Sequence, residues 1–81
     1  MKVKLKFFAQ LKEAARCSEK EVEMAAGARV ADLARLLGEQ FPEIDKYLNT
    51  VSFAVDNEYA TPETPLHEGC EVALIPPISG G

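Results

Sequence analysis

A chain of 81 residues is long enough for one domain and too short for two. Its 47% hydrophobic content suffices for a single core and argues against general disorder, while no apolar run approaches the ~18 residues that cross a membrane. Nine basic residues against 13 acidic ones leave a net charge of −4, a poor balance for a surface that grips phosphate backbones, so no nucleic-acid partner is expected.

The chain opens Lys2-Val3-Lys4-Leu5-Lys6-Phe7, a strict period-two alternation that predicts a half-buried strand. Val3, Leu5 and Phe7 face the core, and the lysines face water. Phe8 falls on the lysine side, where an aromatic is out of place. This start holds no apolar stretch of signal-peptide length, so a cytoplasmic protein is expected. Residues 10–17 are good helix formers but allow only a turn or two.

Glu19-Lys20-Glu21-Val22-Glu23-Met24 predicts a second strand, with three glutamates on one face and Val22 and Met24 on the other. Set against the lysine strand, the glutamates supply complementary outer charge. Gly27 breaks the pattern. Val30, Leu33, Ala34, Leu37 and Phe41 then form the stripe of an amphipathic helix, with Asp32 in its first turn and Pro42 as its stop. No Ser, Thr, Asp or Asn stands just before Val30, so its cap is poor. Residues 43–49 read as a turn or a short helical piece.

Val51, Phe53 and Val55 alternate with Ser52, Ala54 and Asp56 as a third strand, and Asp56-Asn57-Glu58 signals a turn. Tyr59 begins a short strand or edge. Pro62 and Pro65 mark a loop. Glu71-Val72-Ala73-Leu74-Ile75 is apolar on both faces, as suits a central strand. The order of two strands, helix and further strands predicts an α+β fold, with a mixed sheet and one main helix packed on one face. The first and last strands are expected to pair in parallel at the middle. The expected division is a domain over residues 1–75 and a protruding tail over 76–81.

The chemical inventory is thin. His67 stands alone, and Cys17 and Cys70 lie far apart, so no metal site is expected and two reduced thiols are the plain reading. Cys17 has only Arg16 beside it as a basic neighbour, a weak nucleophile setting. The glutamates scatter over polar faces, as a solvated acidic surface does. The unusual feature is the end. Pro76-Pro77 stiffens the chain after the last strand, and six residues from Pro76 reach roughly 20 Å. Gly80 and Gly81 lack Cβ atoms and can thread a narrow channel, carrying the terminal carboxylate to another protein's reactive centre.

This order of elements with a terminal Gly-Gly resembles the ubiquitin-like β-grasp sulfur carriers. More narrowly, Lys6-Phe7-Phe8-Ala9 and Ile75-Pro76-Pro77-Ile78-Ser79-Gly80-Gly81 resemble the small subunits of molybdopterin synthase. The resemblance covers the whole chain. It implies that the Gly81 carboxylate is adenylated by an E1-like enzyme that uses ATP, and that a sulfur donor then displaces AMP to leave a thiocarboxylate. No cofactor is bound by the carrier itself. The tail, through Pro76, Pro77, Ile78, Ser79 and Gly80, would enter the large synthase subunit, which holds the catalytic residues. There it would supply sulfur to cyclic pyranopterin monophosphate within a heterotetramer of two small and two large subunits. Phe8 and Ile75 match positions of the apolar partner face. Lys12 matches a position where arginine is frequent, and its ammonium cannot form arginine's two-pronged contact. Ile75 stands where an aromatic is common. The alternatives are a β-grasp carrier for thiamine, cysteine or tRNA thiolation, a modifier joined to lysines through Gly81, and a plain structural module.

Overall fold

In a computed structural model the described residues are 1–77. Chain order is β1 (Lys2–Phe7), α1 (Gln10–Ala15), β2 (Glu19–Glu23), α2 (Val30–Gln40), α3 (Pro42–Asp45), β3 (Ser52–Val55), β4 (Glu58–Tyr59) and β5 (Glu71–Ile75). The five strands form one mixed sheet in the order β2-β1-β5-β3-β4, with β5 at its centre. β1 and β5 run parallel and every other neighbouring pair is antiparallel.

The hairpin register follows the alternation. Lys2 faces Glu23, Lys4 faces Glu21 and Lys6 faces Glu19, which puts both charged sets on the outer face. Lys4 Nζ lies 3.5 Å from Glu19, and Lys6 Nζ lies 3.3 Å from Glu71 on β5. These pairs are solvated and contribute only ~0.2–1 kcal/mol each, so they bias register more than they add stability. Lys20 sits opposite Leu5 on the other face, at the sheet edge, and is exposed.

Val3, Leu5 and Phe7 are buried on the inner face of β1, as are Val72 and Leu74 on β5. Leu33 and Leu37 of α2 belong to the same buried cluster, together with Val22 and Ile44. Met24 packs at its margin. The Phe7 and Phe41 rings meet edge to face with centroids 5.9 Å apart. The start of α2 has no capping side chain at position 29, as the sequence predicts, but the Asp32 carboxylate accepts the Arg29 N–H at 2.8 Å. That contact satisfies one amide and places negative charge at the helix start. Pro42 ends α2 and also opens α3, because a proline disfavours helical backbone at the residue before it; Phe41 accordingly sits at φ −127, ψ 77.

Asp56 and Asn57 form the two-residue turn between β3 and β4, with φ of 49° and 72°. Both left-handed positions fall on residue types that tolerate them. Asp56 also ties this turn to β5. Its N–H donates to the Glu71 carbonyl at 2.8 Å, and its Oδ1 accepts the Glu71 N–H at 3.0 Å. No helix among the described residues is long and apolar enough to cross a membrane.

Candidate functional site

Strand pairing sorts the outer face of the sheet into two halves. On one side Lys4, Lys6, Glu19 and Glu71 form a charged ladder. On the other, Ala73 lies beside Ala54, and Ala54 beside Tyr59. The two alanines leave a low floor, and larger side chains stand around it. Phe8, Ile75, Tyr59 and Asn57 join them in bounding a shallow depression of about 390 Å³. Phe8 is 47% exposed and Tyr59 is 77% exposed, the two large hydrophobic residues so placed among the described residues. Ile75 is half-buried. Phe8 and Ile75 are therefore brought together, on the face opposite the α2-packed core.

Phe8 reaches this position through an unusual turn. Ala9 has φ 52 and ψ −130, and Leu11 N–H donates to the Phe8 carbonyl at 3.0 Å. Such a backbone suits glycine, so Ala9 holds strain beside an exposed aromatic. On the other side of Phe8, Lys12, Lys6, Ser18 and Glu19 border a second hollow of about 260 Å³. Lys12 is exposed there, so it flanks the apolar depression rather than entering it.

Pro76 and Pro77 follow Ile75 directly, in no regular element, so the chain leaves β5 at the rim of this depression. Ile78, Ser79, Gly80 and Gly81 lie outside the described residues. Tyr59, Ala54 and Ala73 were not singled out by sequence reasoning. Two alanines and a tyrosine carry no signal until strand pairing sets them side by side.

Elsewhere the polar groups are structural. His67 Nε2 lies 2.7 Å from Asp56 Oδ2. The Glu71 N–H, and then His67, hold the Asp56 carboxyl below its ordinary value. This cluster fixes the start of β5. Cys17 and Cys70 are free thiols, and Cys70 is buried. No group of three or more potential metal ligands occurs among the described residues. The chemistry this face offers is recognition: an apolar depression, a lysine at its flank and a chain end leaving from its rim.

The fold defines a ubiquitin-like β-grasp protein, with an apolar depression at the root of its last strand. The profile described as the ThiS family matches residues 5–81, and the chain belongs to that family. It is 37% identical to the molybdopterin synthase sulfur carrier subunit of Chlamydomonas reinhardtii, over 100% of both chains. Among solved structures it is similar to a putative molybdopterin converting factor subunit 1 from Pyrococcus furiosus, with TM-score 0.88, 30% identity, and 96% and 99% of the two chains covered. It also resembles SAMP1 of Haloferax volcanii, a small archaeal modifier protein, with TM-score 0.91, 26% identity and 100% of both chains covered.

Proposed function

We propose that this chain is the sulfur carrier subunit of molybdopterin synthase and is no catalyst alone. The observation that carries the reading is the apolar depression of Phe8, Ile75 and Tyr59 at the root of a segment that ends in Gly80-Gly81. The family match runs through that segment. The full-length likeness to a named sulfur carrier subunit supports it.

The chemistry follows from the weakness of a carboxylate as an electrophile. An E1-like enzyme transfers AMP from ATP to the Gly81 carboxylate and releases pyrophosphate. The acyl-adenylate carbon then accepts a sulfur nucleophile from a donor, AMP leaves, and a thiocarboxylate remains. In the large synthase subunit the thiocarboxylate sulfur attacks a side-chain carbon of cyclic pyranopterin monophosphate and displaces an oxygen leaving group. Water then cleaves the acyl C–S bond of the resulting thioester, leaving the sulfur on the pterin and returning the Gly81 carboxylate. Two sulfurs enter each product, so two charged carriers are consumed, consistent with an assembly of two small and two large subunits. ATP belongs to the activating enzyme, and the carrier binds no cofactor.

The division of labour within the chain is simple. Residues 1–75 form the docking domain, and residues 76–81 form the inserted tail. Phe8 and Ile75 give the apolar contact, and Lys12 offers a single cation at its edge. Pro76, Pro77, Ile78 and Ser79 line the insertion path. Gly80 keeps the tail slim, and Gly81 carries the sulfur. The absence of a membrane-length apolar helix in the described residues suits a cytoplasmic carrier.

The test compares the native chain with a Gly81 deletion and a one-residue extension. Thiocarboxylate formation and molybdopterin synthesis are scored separately from thermal stability. One added residue moves the carboxylate by about 3.5 Å, and even ~1 Å of misplacement can cost about a hundredfold in rate. Both variants should fold as the native protein does and fail to accept sulfur. An extended chain that is charged and supports synthesis at the native rate, without being trimmed, contradicts the mechanism. A carrier for thiamine, cysteine or tRNA thiolation would form the same thiocarboxylate and differ in its acceptor, so the synthesis assay separates the readings.

A further inference from the structure

The sheet has two open edges of opposite character. β2 lines one edge with Glu19, Glu21 and Glu23 on the outer face and Lys20 on the inner side. Charges so placed discourage strand addition. The other edge is β4, where Tyr59 is 77% exposed. Tyr59 borders two depressions. One is the outer hollow of about 390 Å³ over Ala54 and Ala73. The other, about 600 Å³, opens on the helix side of the sheet among Ala34, Leu48, Val51, Phe53, Ala60 and Pro62. Both volumes fall within the ~300–1,000 Å³ span of sites that accept small groups.

The backbone at this edge is also open. Ala60 N–H donates to the Phe53 carbonyl at 2.8 Å, so positions 53 and 60 form a hydrogen-bonded pair. In an antiparallel ladder bonded and non-bonded pairs alternate. The Ala54–Tyr59 pair is therefore non-bonded, and the Tyr59 N–H and C=O point away from the sheet. Successive side chains of an extended segment alternate between faces. A segment laid along this edge can thus pair with Tyr59 and send neighbouring side chains into the two hollows.

We propose that the β4 edge at Tyr59 is a docking edge for an extended segment of the large catalytic subunit that carries apolar side chains at neighbouring positions. The occupant is assigned to that subunit because the outer hollow is continuous with Phe8, Ile75 and the root of the tail. In this respect the inference rests on the function proposed above. The edge adds something the outer face alone does not supply. A partner that grips both faces fixes the rotation of the domain about its own tail. A tail of six residues reaching roughly 20 Å delivers its end to one position only when the domain behind it is fixed.

The experiment uses the full-length carrier and the purified large subunit. Amide exchange at Tyr59 is measured in the free carrier and in the complex, and affinities are measured for Ala34→Met and Phe8→Ala. Ala34→Met fills the inner hollow without touching the outer face and keeps a good helix former. Tyr59 N–H should exchange freely in the free carrier and slow at least tenfold in the complex, and Ala34→Met should weaken binding about tenfold. Unchanged exchange at Tyr59 together with native affinity for Ala34→Met overturns edge docking. If Phe8→Ala still weakens binding in that case, the outer-face reading survives alone. If Phe8→Ala also binds like the native chain, the outer-face reading falls as well. Tyr59 protection that appears without the large subunit, together with dimerisation in sedimentation, overturns the assignment of the occupant in favour of a second copy of this chain.

Discussion

Phe7 and Phe8 are neighbours in sequence and face opposite sides of one sheet, which makes them a matched pair of probes. Phe7 is 2% exposed and meets Phe41 edge to face at 5.9 Å. Truncating a phenylalanine so placed costs about 3–5 kcal/mol. A domain of this size loses roughly 4–8 °C in Tm per kcal/mol, so Phe7→Ala should lower Tm by at least ~12 °C. Phe8 is 47% exposed and touches only the rim of a shallow depression. Full burial of such a side chain contributes about 1.5–3 kcal/mol, so losing half of it costs only about 1 kcal/mol. In the complex proposed above the same ring would be covered, and removing an aromatic anchor typically costs ~2 kcal/mol or more, about a thirtyfold loss of affinity. Thermal melts followed by circular dichroism and calorimetric titration with the large subunit measure the two effects separately. Phe8→Ala should bind at least about thirtyfold more weakly with a small change in Tm. A fall in Tm as large as that of Phe7→Ala, with binding unchanged, would show that Phe8 belongs to a second small core and refute the assignment.

Ala9→Gly should stabilise the fold by about 0.5–1 kcal/mol, because relief of the Cβ clash at φ 52 is worth ~1–2 kcal/mol and glycine returns part of it as chain entropy; urea denaturation checks this, and a loss of stability contradicts the strain at Ala9. The Asp56 carboxyl is held below its ordinary value by the Glu71 N–H and by His67. Its folded pKa is lower than its unfolded one, so its contribution is complete above about pH 4 and disappears as pH falls through the folded value. Thermal melts of the native protein and Asp56→Asn should therefore differ above pH 4 and converge in stronger acid, whereas a constant difference down to pH 2 contradicts the linkage.

Much of this fold was legible because its strands advertise their faces. The Lys-Val-Lys-Leu-Lys-Phe alternation and the matching Glu alternation predicted the hairpin register, and Lys2, Lys4 and Lys6 do face Glu23, Glu21 and Glu19. The segment Glu71–Ile75, apolar on both faces, lies at the centre of the sheet and parallel to β1, as expected. The misplaced Phe8 marked the outer face as more than a charged ladder, and it is exposed there at the border of the apolar depression. What escaped was whatever depends on neighbours distant in sequence. β4 has two residues, too few for a period to show, so Tyr59 read only as an edge. Ala54 and Ala73 become a floor only when β3 lies beside β5. Asp56 and His67 meet because the hairpin turn returns to the start of β5. The backbone at Ala9 adopts a glycine-like conformation on a residue whose type gives no hint of it.

The proposed role of Gly81 is to carry sulfur as a thiocarboxylate. Its most direct test is the intact mass of the full-length chain after incubation with the E1-like enzyme, ATP and a sulfur donor, and again after addition of the large subunit and cyclic pyranopterin monophosphate. The expected result is a mass gain equal to one oxygen exchanged for sulfur, located in the peptide that ends in Gly80-Gly81, dependent on ATP, and reversed when the pterin acceptor is supplied with the large subunit. An unchanged mass under the first condition, or a sulfur located on Cys17 or Cys70 in place of Gly81, would contradict it.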